Sequence, residues 1–93
     1  MKISFIWDKN KELTNARKHG ITFEEAKTAF EDENARIFYD ETHSTHEDRY
    51  ILLGYSNQAK LLIVCHCEQI NNQIRIYSAR KATKNESKYY KGE

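Results

Sequence analysis

Ninety-three residues, of which 39% are hydrophobic and 31% charged, describe one small domain with a modest core, and the grouping of its apolar residues into periodic runs excludes a disordered chain. No run reaches the roughly 18 to 20 apolar residues that span a bilayer, and Asp8 interrupts the first apolar stretch too early for a signal-peptide core, so the cytoplasm is the expected location, with no membrane partner. The formal net charge of +1 hides a split: residues 1–48 carry 7 basic and 11 acidic side chains, and residues 49–93 carry 8 basic and 3 acidic. A basic second half suggests a surface for phosphate backbones or an acidic partner.

Along the chain, Ile3 to Trp7 is β-prone and reads as a first strand. Asp8 caps a helix through about Lys18, and Gly20 ends it. Only Leu13 and Ala16 form an apolar stripe on that helix. Thr22 and Glu25 make a T-x-x-E capping box before a second helix over Phe23 to Glu31, with Phe23, Ala26 and Phe30 on one face. From Ala35 the period changes to two. Ala35 to Asp40 reads as a strand and residues 41–46 as a polar loop. Arg49 to Tyr55 and Leu61 to Glu68 are strands joined by a turn at Ser56-Asn57-Gln58, and a turn near Asn71-Asn72 leads into a strand over Ile74 to Arg80. Thr83 and Glu86 repeat the capping box and open a short helix ending at Tyr89 and Tyr90. The order β-α-α-β-β-β-β-α predicts an α+β domain spanning residues 1–93, an antiparallel meander with its helices gathered on one face and the other face free to bind.

If such a basic face binds RNA, metal-free strand cleavage follows a known physical plan. A base takes the proton of a ribose 2′-OH, the oxygen attacks the adjacent phosphorus, cations stabilise the phosphoryl oxygens, and an acid protonates the departing 5′-oxygen. Histidine, glutamate and lysine serve the proton transfers, and the arginine fork matches two phosphate oxygens at once. Glu47 and Arg49 stand at the start of one central strand, His66 at the end of the next, and Arg75 and Arg80 bracket the third. Strand parity places Arg75 and Arg80 on opposite faces unless a bend intervenes. Lys18-His19 precedes the helix-ending Gly20, where the histidine either binds a terminal carbonyl or is delivered to the open face. The H-x-x-H spacing of His43 and His46 resembles zinc-protease patterns only superficially and reads as exposed loop. Cys65 and Cys67 read as small core residues on one strand face, without zinc or a disulfide, and no cofactor is expected.

The stretches Phe5-Ile6-Trp7-Asp8-Lys9-Asn10-Lys11 and Asn15-Ala16-Arg17-Lys18-His19-Gly20-Ile21-Thr22-Phe23-Glu24-Glu25-Ala26 resemble the opening of BrnT-family toxins. The ending Ile74-Arg75-Ile76-Tyr77-Ser78-Ala79-Arg80-Lys81-Ala82-Thr83, followed by Glu86 and Tyr89 or Tyr90, is similar too. Between them, Asp40, His43, Glu47, Arg49 and Gly54 fall on that family's D…H…E-x-R…G pattern. Tyr77 and Cys65-His66-Cys67 depart from it, standing where aliphatic residues are common. The resemblance implies a RelE-like fold and a ribonuclease that arrests translation and growth. It also implies a BrnA-type antitoxin that neutralises the toxin in a complex of two copies each and alone contacts operator DNA. Lys18, His19, Glu47, Arg49, Arg75 and Arg80 are carried over as catalytic candidates; His66, Lys81 and Lys84, which are not carried over, are the substrate-binding candidates. The rival is a non-catalytic module on a RelE-like scaffold whose basic face binds an acidic partner or nucleic acid; convergence of the candidate side chains on one patch separates the two readings.

Overall fold

A computed structural model, which describes residues 2–90, folds the chain as β1 (Ser4–Ile6), α1 (Lys9–His19), α2 (Phe23–Thr28), β2 (Arg36–Tyr39), β3 (Tyr50–Tyr55), β4 (Leu61–Gln69), β5 (Gln73–Lys81) and α3 (Lys84–Tyr90). Short 3-10 turns follow α2 at Ala29–Glu31, open the loop after β2 at Glu41–His43, and join β4 to β5 at Ile70–Asn72. One five-stranded sheet has the order β1-β5-β4-β3-β2. Strands β2 to β5 form the expected antiparallel meander. The exception is β1, which pairs parallel to β5 at one edge, because α1 and α2 carry the chain across the sheet to the opposite edge before β2 begins. No helix among the described residues is long and apolar enough to cross a membrane.

The helix signals act locally as expected. Asp8 accepts hydrogen bonds from the Asn10 and Lys11 amides at 2.8 and 3.1 Å, and Gly20 closes α1 at φ 71°, a left-handed conformation that glycine adopts without steric cost. Ile21, Phe23, Ala26 and Ala29 bury the α2 segment against Leu52, Leu62, Val64, Ile76 and Ala79. Phe30 extends this core by edge contacts with Phe5 and with the His66 ring. Gly54 lets the turn after α2 approach β3, since a Cβ there would lie 2.9 Å from Ala35 Cβ and 3.0 Å from Ala29 O.

Three arrangements differ from the sequence expectation. Leu13 is 51% exposed and does not dock α1; the buried Asn15 does. Its amide donates to Ala79 O (2.8 Å) and Ile21 O (2.9 Å), and its Oδ1 accepts from the Ala79 amide at 3.0 Å. Asn15 thus takes the place of a neighbouring strand on the edge of β5 that β1 is too short to cover. Second, the helices do not share one face. Phe38, Leu53, Ile63 and Arg80 lie on the face away from α2, and α3 crosses that face through Glu86, Tyr89 and Tyr90. Its capping box closes fully, with Thr83 and Glu86 bonding each other's amides, whereas Glu25 turns from Thr22 to bond Ser56.

Third, the register slips at Cys65/His66, so Cys65 pairs with Ser78 while His66 pairs with Ile76, leaving Tyr77 as an extra residue on β5. Directly opposed residues share a sheet face. The bulge therefore puts Arg75, opposite Cys67, and Arg80, opposite Ile63, on the same face, contrary to simple parity.

Candidate active site

The bulge aims Tyr77 at the loop between β2 and β3, and the clearest polar cluster of the molecule forms around its ring. The Tyr77 hydroxyl donates to Glu47 Oε2 and lies 3.3 Å from Cys67 Sγ. The Arg49 guanidinium sits 3.8 Å from the centre of the Tyr77 ring, and Lys11 Nζ, from α1, 5.4 Å from it. Arg49 Nε is also 3.5 Å from Glu47 Oε2, an ion pair without hydrogen-bond alignment, which leaves that buried N–H without a hydrogen-bond partner among the described residues. Rigid aromatic support of this kind holds a guanidinium without consuming its outer donors.

The loop that presents these groups is closed on itself. The Asp40 amide donates to Arg49 O at 2.8 Å, the Ser44 hydroxyl to Asp40 O at 2.6 Å, and the Arg49 amide to Ser44 Oγ at 2.9 Å. Glu47 and Arg49 are consequently fixed at the start of β3 rather than swinging on a free loop. Two shallow depressions flank Tyr77 and share Lys11, Tyr77 and Ser78. The one of about 310 Å³ runs along α1 to Lys18 and His19. The other, about 210 Å³, is bounded by Asp40, His43, Arg49 and Cys65.

Electrostatics sort the roles. The Tyr77 hydrogen bond, aided by the charges of Arg49 and Arg75 against a smaller opposing effect of burial, holds the Glu47 carboxyl below the ordinary carboxylate range. Burial, with the Cys67 and Glu47 contacts, pushes the Tyr77 phenol up, so it remains a neutral donor at physiological pH. Such a Glu47 is ionised but a weak base.

Of the sequence candidates, Lys18, His19, Glu47 and Arg49 surround Tyr77, and Arg75 joins them through its charge on Glu47 and its place opposite Cys67. Arg80 lies farther along the same face with both terminal nitrogens 2.8 Å from the two carboxylate oxygens of Glu86. That pair lowers Glu86 to about 2 and raises Arg80. Lys81 and Lys84 border a separate depression beside Tyr55 and Lys60. His66 departs from the sequence expectation of a substrate-facing side chain. It is 0% exposed on the α2-covered face, edge-on to Phe30, with Nδ1 3.1 Å from Val64 O and Nε2 unpartnered among the described residues. Burial pushes its imidazole below the ordinary histidine value. Cys67 is buried as expected, but beside Tyr77 rather than in the main core, and Cys65 is half-buried. Sequence reading missed Tyr77, Lys11 and Asn15. One signal was present: the apolar positions Ile74, Ile76 and Ala79 are spaced by two and then three, which marks a bulge between the last pair.

Residues 7–86 match the family model described as the ribonuclease toxin BrnT of type II toxin–antitoxin systems. Among solved structures, the chain is similar to the ribonuclease toxin BrnT of Brucella abortus, at 24% identity and a TM-score of 0.70 over 89% of this chain and 100% of that one. That likeness shows a shared fold. No curated protein matches the chain.

Proposed function

The chain belongs to the BrnT family of ribonuclease toxins of type II toxin–antitoxin systems, and from that premise we propose that it cuts RNA without a metal ion at the site around Tyr77. The gathering of Lys11, Lys18 and Arg49 along the two depressions that flank Tyr77, with His19 in the larger one and the charge of Arg75 acting on Glu47, carries the reading. Arg49 and Arg75 take the non-bridging phosphoryl oxygens, where negative charge grows as the 2′-oxygen attacks. Glu47, weak as a base, keeps Arg49 and the Tyr77 hydroxyl in place. Proton transfer falls to His19, with Lys18 beside it in the larger depression. The donor set supports a metal-free course: the carboxylates bordering the cluster are already engaged, Glu47 by Tyr77 and Arg49, Asp40 by His43. Hard divalent cations instead draw on several free oxygen ligands. Arg80, held by Glu86, and Lys81 and Lys84, in a separate depression, stand outside this site.

The family brings an antitoxin partner and an RNA target. We assign the partner to the BrnA type, in a complex of two copies each that contacts operator DNA only through the antitoxin, and the setting to the cytoplasm. The test is purified toxin, freed of its partner and incubated with RNA in EDTA. RNA is cut, and Arg49→Ala slows cutting by about 10²- to 10³-fold, the usual cost of one transition-state donor. Intact RNA with correctly folded protein overturns the proposal and favours a non-catalytic binding module.

A further inference from the structure

A single histidine leaves one of the two proton transfers without a well-placed group. The second depression beside Tyr77 contains one. Asp40 is buried, with 7% of its side chain exposed, and its Oδ2 lies 2.9 Å from Nδ1 of His43, whose side chain is 63% exposed. The pair is not an incidental surface contact. Asp40 is fixed by its own backbone, which accepts from Ser44 Oγ and donates to Arg49 O, so the carboxylate is presented by a closed loop. A carboxylate bonded to Nδ1–H fixes the imidazole tautomer and leaves Nε2 as the acceptor. No described residue occupies that nitrogen. His43 borders the depression that also takes in Arg49, Lys11, Tyr77 and Ser78, and the latter three border the His19 depression as well.

We propose that His43, positioned by Asp40, is the general base of the reaction, and that His19 is the acid on the other side of Tyr77. This assignment rests on the ribonuclease reading of the same site. His43 Nε2 takes the 2′-OH proton as the O2′–P bond forms, the P–O5′ bond breaks, and protonated His19 gives its proton to O5′. The products are a 2′,3′-cyclic phosphate and a 5′-hydroxyl, and proton exchange with water resets both imidazoles. The charged and titratable groups facing His43 are Asp40 from its own loop, Lys11 from α1, Arg49 at the start of β3, Cys65 from β4 and Tyr77 from β5.

The experiment is the pH dependence of kcat/KM for RNA cleavage by wild-type toxin, His43→Ala, His19→Ala and Asp40→Asn, each checked for folding by circular dichroism and melting. His43→Ala loses about 10²- to 10⁴-fold in rate, loses the acidic limb of the profile, and is partly rescued by added imidazole. His19→Ala loses the alkaline limb instead. Asp40→Asn lowers kcat with little change in KM, which a merely structural change does not do. Active wild type together with a His43→Ala variant that keeps its rate and acidic limb overturns the assignment while leaving the ribonuclease reading intact. Inactive wild-type protein overturns both. If His43→Ala does not fold, the folded His43→Gln variant decides by the same two readouts.

Discussion

Tyr77 makes its contacts with Glu47, Cys67 and Arg49 because one extra residue on β5 turns it toward the loop before β3. The two parts of the side chain have separable jobs. The hydroxyl keeps Glu47 ionised, and the ring carries Arg49. Tyr77→Phe keeps the ring and removes the hydroxyl, so the Glu47 carboxyl rises toward the ordinary range, measurable by carboxylate NMR titration, while affinity for RNA changes little. A Glu47 titration that does not move in Tyr77→Phe contradicts this division. The residues of the site were only partly legible in the sequence. Arg49 and Glu47 stand out as charges at a strand start, but the tyrosine looks like a strand residue until the out-of-phase Ala79 is noticed. His66 shows the opposite failure, since a polar side chain in a strand has no marker that distinguishes a buried imidazole from a substrate-facing one. Its lowered pKa means that burial favours the neutral form, so it stabilises the fold above the unfolded value near 6.5 and that contribution is lost as pH falls below it. His66→Leu, followed by denaturant melts, loses less stability than wild type between pH 7 and pH 5.

At the scale of elements, periodicity and caps, signals that depend on neighbours in sequence, located the helices and strands to within a residue or two, except that α2 ends at Thr28 and gives way to a 3-10 turn over Ala29–Glu31. What they could not give was the way each element docks. Helix α1 carries almost no apolar stripe and is held by Asn15 on the uncovered edge of β5. Asn15→Ala leaves the Ala79 amide and carbonyl and the Ile21 carbonyl short of a partner, and about 1 to 3 kcal/mol of stability is lost. A thermal melt reads this directly, and an unchanged melting temperature contradicts it. Because the same edge borders Lys18 and His19, cleavage falls with it even at temperatures where the variant is folded. Helix α3 docks by chemistry more than by apolar area: Glu86 on Arg80, Tyr90 on Asp32, and the Tyr89 carbonyl accepting from Arg36. The Arg80 hydrogen bonds lower Glu86 to about 2 in the folded protein from the ordinary carboxylate value of 4.5. Its contribution is therefore complete above about pH 4.5 and drains away as pH falls from there toward 2. Glu86→Gln removes that part of the acid sensitivity, as denaturant melts over this range show.

The whole molecule changes the meaning of the charge split. The basic second half of the chain does not form a basic half of the protein. Lys11 and Lys18 come from the acidic half, and β5 meets α1 so that both halves supply cations to one place. Composition alone suggests phosphate binding; the parallel pairing of β1 with β5 and the bulge beside it bring together the side chains to which we assign it. The placement of α3 matters at this scale as well, for it covers part of the face that simple layering left open. The central claim is that this site cleaves RNA by internal attack of the 2′-OH with protein side chains alone. Identifying the ends of RNA cut by the free toxin in EDTA tests it most directly: the account predicts 2′,3′-cyclic phosphate and 5′-hydroxyl ends, and 3′-hydroxyl with 5′-phosphate ends would contradict it.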